Sequence, residues 1–170
     1  MKTWQLILSI ILFQITWFSA AFGYEVISIM GLISLIGALK FSQVNAIAIV
    51  VGIGVALGLG VLMDAFLYGL DIYTFPDSKI LFYLSIPTWL LTMWLAFSTT
   101  LFSSFYWALS KPAFFIILCG LLGPISYLAG REIGIIQFEN NDLLIMVFLW
   151  AFWAGLFLAV WHRCIKKISI

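Results

Sequence analysis

The chain has 170 residues, 65% of them hydrophobic and only 9% charged, with a formal net charge of +1 and a mean hydropathy of +1.19. Soluble domains carry about 25% charged residues, so lipid must be the solvent for most of these side chains. There is no basic stripe for nucleic acid to bind, and no Walker loop, dinucleotide fingerprint or soluble domain to hold either.

The apolar runs divide the chain into about six spans, with five as the rival count, over roughly 3–22, 25–40, 45–68, 87–109, 112–130 and 143–161. A helix needs about 20 residues to cross ~30 Å of hydrocarbon. The expected fold is therefore an all-α integral membrane protein, one polytopic helical bundle over residues 1–170. The first run resembles a secretory signal, with Lys2, an apolar stretch and small residues at Ser19, Ala20 and Ala21. Gln14, Thr16 and Trp17 interrupt it, and it is expected to stay as an uncleaved first span. The second run is short and must borrow Glu25 or Lys40, whose long side chains can snorkel.

In the third run Ala48, Gly52, Ala56, Gly60 and Asp64 recur every four residues, with Gly54 and Gly58 as a GxxxG pair beside them. Small residues at this spacing let helix backbones approach closely. Asp64 continues the ridge and should face protein rather than acyl chains. From Ile80 to Ser110 the apolar stretch is too long for one span, so Pro87 is expected to open the fourth helix. Residues 80–86 then form an interfacial segment or a kinked extension. Thr88, Thr92, Thr99 and Ser103 fall on one side of the fourth helix, which predicts interhelical hydrogen bonds or a hydroxyl-lined groove. In the fifth run Gly120, Gly123 and Pro124 predict a kink, with Tyr127 and Arg131 along one face.

Basic residues set the orientation. With the N-terminus inside, Lys2, Lys40, Lys111, Arg163, Lys166 and Lys167 lie on the inner face, and only Lys79 and Arg131 lie outside. Both termini are expected in the cytoplasm. A lone histidine, His162, and two separated cysteines, Cys119 and Cys164, cannot supply a clustered metal site, so no metal or cofactor is expected.

The polar residues left in the apolar runs converge at one depth. Asp64 lies about one turn below the outer end of the third span. Trp89 opens the fourth span there, Tyr127 and Arg131 finish the fifth, and Gln14 and Trp17 sit in the outer half of the first. A carboxylate at the bilayer centre costs about 2.5–3.5 kcal/mol on insertion scales, so it needs a partner or a wet cavity. Arg131 is the expected partner of Asp64. Their pairing could lock the third and fifth spans together, or line a polar cleft open to the outer leaflet.

Five segments in order also carry a resemblance: Phe13-Gln-Ile-Thr-Trp17-Phe, Gly60-x3-Asp64-x2-Leu-Tyr-Gly69, Pro87-Thr-Trp89-Leu-x2-Met-Trp94-x2-Phe97, Ser104-x2-Trp107 and Gly123-Pro-Ile-Ser-Tyr127-Leu-Ala-Gly130. Together they resemble the small bacterial inner-membrane proteins of domain-of-unknown-function family 2878. The resemblance implies a bacterial cytoplasmic membrane location. Gene neighbours of its members, fatty-acid-modifying methyltransferases and amine-oxidase-like flavoproteins, imply a connection with lipid, but it assigns no reaction.

Three functions fit these residues. In the first, a polar cleft binds, presents or translocates lipid: Arg131 pairs an anionic group, Trp89 and Tyr127 pack beside it, and Asp64 positions Arg131. In the second, a non-catalytic scaffold docks a membrane-protein partner or a second copy through its glycine ridges, with Gly52, Gly54, Gly58, Gly60, Gly123 and Pro124 shaping the helix contacts. In the third, an intramembrane enzyme uses Asp64 as acid or base, with Asp71 as the nearest carboxylate in phase. The residues favour lipid handling, then the scaffold, then the enzyme.

Overall fold

A computed structural model describes residues 3–42, 44–76, 80–81, 86–139 and 142–165. Within these lie α-helices α1 (Thr3–Ala21), α2 (Glu25–Ala38), α3 (Ala46–Gly69), α4 (Thr88–Ser103), α5 (Pro112–Glu132) and α6 (Asp142–Val160). Each falls on one of the apolar runs. Four stretches are long and apolar enough to cross a membrane: Thr3–Ala21, Ala46–Gly69, Pro112–Glu132 and Asp142–Ile165. At 1.5 Å per residue, α2 (14 residues) and α4 (16 residues) reach only about 21 and 24 Å. Both are followed by 3₁₀ turns, Leu39–Phe41 and Tyr106–Ser110. The chain is an all-α membrane protein, with four helices of spanning length among the described residues.

Its outward faces are themselves apolar. Val26, Val50, Leu62, Phe148 and Phe152 are each about two-thirds exposed or more, a pattern suited to acyl chains rather than water.

Ring and side-chain contacts show that successive helices alternate in direction. Trp4 meets Phe41, Phe102 meets Trp161, and Phe115 meets Phe157. These pairs set the start of α1 beside the end of α2, and the end of α4 and the start of α5 beside the end of α6. At the other end, Asp64 of α3, Trp94 of α4 and Tyr127 of α5 meet.

Two glycines on the α3 ridge fix how closely α3 and α4 approach. A Cβ at Gly52 would overlap the tip of the Phe102 ring and one at Gly60 the face of the Trp94 indole. Ala48, Gly52, Ala56, Gly60 and Asp64 are all buried along this seam. Gly123 does the same on α5, where a Cβ would strike the Trp150 indole of α6. Gly54 and Gly58 depart from the expectation. Both are exposed, with nothing within 4 Å of a modest side chain, so the GxxxG pair packs against no described helix of this chain.

The hydroxyl row of α4 also departs from it. Thr92, Thr99 and Thr100 donate to the carbonyls of Thr88, Leu95 and Ala96 in their own helix, at 3.3, 2.8 and 2.7 Å. In an apolar medium a Thr hydroxyl takes the acceptor one turn back before one on a neighbouring helix. Among the described residues none of the three bonds a neighbouring helix, and only Thr100 lines the cavity described below.

Three helices end in the same hydrogen-bonded turn, with a left-handed residue after the last turn and two N–H groups folded back onto orphan carbonyls. Gly23 (φ 76°), Asp71 (φ 57°) and Gly134 (φ 82°) hold the left-handed positions after α1, α3 and α5. After α3, Asp71 N–H reaches Tyr68 O and Ile72 N–H reaches Leu67 O, both at 3.1 Å. That turn sends the chain back over the helix end and carries Tyr73 inward. Thr74 and Gln137 then exchange two backbone hydrogen bonds of 2.9 Å, tying the loop after α3 to the loop after α5.

The interfacial segment expected at 80–86 lies mostly outside the described residues. At its edges, Ile80–Leu81 and Ile86–Pro87 pair as a short antiparallel ladder of strands β1 and β2. Pro87 stands immediately before the first residue of α4.

Candidate functional site

Asp64 is fully buried, and three donors from separate elements close over its carboxylate. The Tyr73 hydroxyl, delivered by the turn after α3, donates to Oδ1 at 2.7 Å. The Tyr127 hydroxyl on α5 donates to the same oxygen at 2.5 Å, and the Trp94 indole N–H on α4 donates to Oδ2 at 2.5 Å. Hydrogen bonds to an ionised acceptor are shorter and about twice as strong as neutral ones. Burial, followed by the adjacent carboxylate, holds the Tyr73 hydroxyl well above its ordinary pKa, so it remains a donor.

Arg131 is not among these partners. It lies 3.6 Å from Glu132, with its guanidinium 4.7 Å from the Phe138 ring centre. The expected Asp64–Arg131 pair is thus replaced by a cage of neutral donors. The reason is geometric: Arg131 sits one helical turn beyond Tyr127, about 6 Å nearer the end of α5. Asp71 does not join the cluster either. It is exposed and fills the left-handed position of the α3 cap. With both oxygens occupied and no exposed surface, Asp64 has no open face toward a substrate.

Beside this cluster lies a half-open cavity of about 440 Å³, bounded by α1, α4 and α5 and backed by Trp150 of α6. Ligand pockets run from about 300 to 1,000 Å³. Its α5 lining extends from Phe115 to Ala129, about 21 Å at the helical rise. Most lining side chains are apolar or aromatic. Gln14 and Trp17 line it from α1, and Tyr127 lines it from α5. Asp64 stands behind the wall, reached only through Trp94 and Tyr127, which both line the cavity and bond the carboxylate. Trp89 is not in the lining; it packs edge-on against Phe75 at 5.8 Å.

Gln14, Trp17 and Tyr127 thus share one cavity, Asp64 lies just outside it, and Trp89 and Arg131 face other neighbours. A cleft whose polar groups meet the ligand is replaced by an apolar cleft with a carboxylate behind its wall. Sequence reasoning missed Tyr73, Trp94 and Trp150. Trp94 had a readable signal: a donor-only side chain in an apolar run, facing the ridge that carries the lone carboxylate. α5 runs unbroken through Pro124 as a single helix from Pro112 to Glu132.

Three buried polar atoms among the described residues lack a hydrogen-bond partner: Ser98 Oγ, Trp150 Nε1 and Trp153 Nε1. Of these residues only Trp150 lines the cavity.

No curated protein and no solved structure matches the chain. The family described as "protein of unknown function (DUF2878)" matches residues 6–159, nearly all of the 170-residue sequence, and the chain belongs to that family.

Proposed function

We propose that this is a multi-pass protein of the bacterial cytoplasmic membrane that handles lipid by holding an acyl chain in the cleft between α1, α4 and α5. The observation that carries this proposal is the shape and lining of that cleft. It is apolar, lies beside two helices of spanning length, α1 and α5, and runs about 21 Å along α5, longer than the ~15 Å of one leaflet's hydrocarbon. Burying an alkyl chain there replaces contact with mobile lipid by contact with fixed aromatic walls. Six crossings with both termini cytoplasmic agree with the excess of Lys and Arg in alternate loops and with the alternating helix directions. This topology puts the Asp64 cluster about 7 Å inside the outer end of α3.

Leu118 lines the cavity, whereas its neighbour Ile117 is 62% exposed and does not. Leu118→Trp should fill the cleft, and Ile117→Trp should leave it open. Native mass spectrometry of gently purified protein should show bound phospholipid on the parent and Ile117→Trp, and less on Leu118→Trp. Equal retention by all three would overturn the proposal.

One observation favours the scaffold as a second function. Gly54 and Gly58 present an open small-residue surface on the outer face of α3, where another membrane helix could approach closely.

A further inference from the structure

Most hydrogen-bonding groups that line the cleft are already spent. Trp94 and Tyr127 donate to Asp64, and Thr100 donates to the carbonyl of Ala96. Gln14 is different: it lines the cleft, is exposed, and makes no hydrogen bond to a described residue. Ser126 of α5 also lines the cleft. It donates to Gly123 O at 2.6 Å, which leaves its oxygen free to accept.

These two groups stand at one level on different helices. Gln14 lies about 10 Å from the Ala21 end of α1, and Ser126 about 9 Å from the Glu132 end of α5. Ring contacts tie the two heights together. Phe13, beside Gln14 in the chain, meets Phe97 at 6.5 Å, and Phe97 meets Trp150 at 6.2 Å. Trp150 in turn packs on Gly123, one turn from Ser126. The neighbouring lining is mostly apolar, with Phe18 and Ala129 toward those helix ends and Ile10 and Leu122 away from them.

An amide at this depth is too far into the ~15 Å of leaflet hydrocarbon to reach interfacial water, and a polar group unpaired there is costly. The ester and headgroup oxygens of an ordinary phospholipid stay at the interface and bring only methylenes to this level. A hydroxyl part-way along the chain meets both groups: it accepts from the Gln14 amide N–H and donates to Ser126 Oγ. A carbon chain advances about 1.3 Å per carbon, from a C–C bond of about 1.5 Å, which sets that hydroxyl about eight carbons from the head.

Resting on the acyl-chain cleft proposed above, we infer that the cleft selects acyl chains hydroxylated part-way along their length, with Gln14 and Ser126 receiving the hydroxyl.

The test equilibrates the full-length protein in dodecyl maltoside with equimolar 2-, 9- and 17-hydroxyoctadecanoate. The acids released from the repurified protein are then identified by chromatography and mass spectrometry. The isomers share one composition, so general polarity cannot sort them. The 9-hydroxy acid should be retained about fivefold over each of the others, the gain expected of one or two hydrogen bonds. Gln14→Leu replaces an exposed side chain and should bring the isomers to parity while octadecanoate itself still binds. Ser126→Ala should reduce the preference to about twofold, from the loss of one bond. Equal retention of the isomers by the parent, or a 9-hydroxy preference intact in Gln14→Leu, overturns the selectivity and leaves the acyl-chain cleft standing. A second copy of the chain bound by the parent and lost in Gln14→Leu would assign the amide to a helix contact and overturn it too. Retention of no acid at all removes the cleft proposal itself.

Discussion

Gly60→Ala adds one methyl group at the point where α3 and α4 approach most closely. The new Cβ would overlap the Trp94 indole, with three ring atoms inside normal contact. Trp94 cannot retreat, because Trp150 stacks on it at 5.1 Å and 11°. Overpacking of this kind costs about 1–3 kcal/mol. If the indole tilts away instead, it loses its bond to the Asp64 carboxylate, and hydrogen bonds to charged groups are worth about 1.5–3 kcal/mol. The two are alternatives for one side chain, so the expected loss is about 1–3 kcal/mol. Gly54→Ala is the matched control: its Cβ meets nothing within 4 Å, and replacing a helix-interior glycine by alanine gains up to about 1 kcal/mol. Unfolding by sodium dodecyl sulfate titration in dodecyl maltoside, followed by circular dichroism, separates the two. Equal midpoints for Gly60→Ala and Gly54→Ala would refute the claim that the buried ridge, rather than the GxxxG pair, packs the monomer.

Asp64→Asn should lose about 1–3 kcal/mol, because an amide NH₂ turned toward Trp94 or the two tyrosines leaves a buried donor unmet. The same unfolding assay should find Asp64→Asn and Tyr127→Phe coupled by at least about 0.5 kcal/mol, whereas Asp64→Asn and Arg131→Gln should be additive within that margin. Asp71→Gly should raise stability by about 1 kcal/mol, since glycine holds a left-handed φ without the penalty an L side chain meets. Reporter fusions after Lys40 and Lys167 should behave as cytoplasmic and a fusion after Glu139 as external; an external C-terminus would remove the six-crossing topology.

The positions of the helices were legible because hydropathy and element length are local properties. The third run expected at 45–68 appears as Ala46–Gly69, and the fifth expected at 112–130 as Pro112–Glu132. The four-residue spacing of Ala48, Gly52, Ala56 and Gly60 identified a face, since helical phase follows from spacing alone. It could not tell that face from the one bearing Gly54 and Gly58, because small residues look the same whether a neighbour covers them or not. The partner of Asp64 was misjudged for a related reason. Charge complementarity favoured Arg131, but axial position decides contact, and Tyr127 lies one turn deeper. Tyr73 was hidden more thoroughly. It reaches Asp64 only because Asp71 adopts a left-handed conformation that reverses the chain, a position usually marked in sequence by glycine. The cavity was not legible at all, since it is a gap between helices rather than a property of any one of them.

The Asp64 cluster poses an energetic question that packing alone does not answer. A carboxylate with three donors joins α3, α4 and the α5 helix at one point, yet an apolar replacement of matched volume is often neutral or stabilising for buried ionic groups. Stability therefore gives little reason for a charge at this depth, where ionisable side chains usually mark a pathway or a ligand. Position supplies a better reason. Two of the three donors, Trp94 and Tyr127, are also walls of the cleft. The hydrogen bonds that satisfy the charge thus fix the orientation of the rings a ligand would touch. Tyr73, the third donor, is outside the cavity lining and completes the carboxylate's shell from the loop side. One arrangement then does two things: it keeps the carboxyl group dry, and it fixes the two rings that wall the cleft.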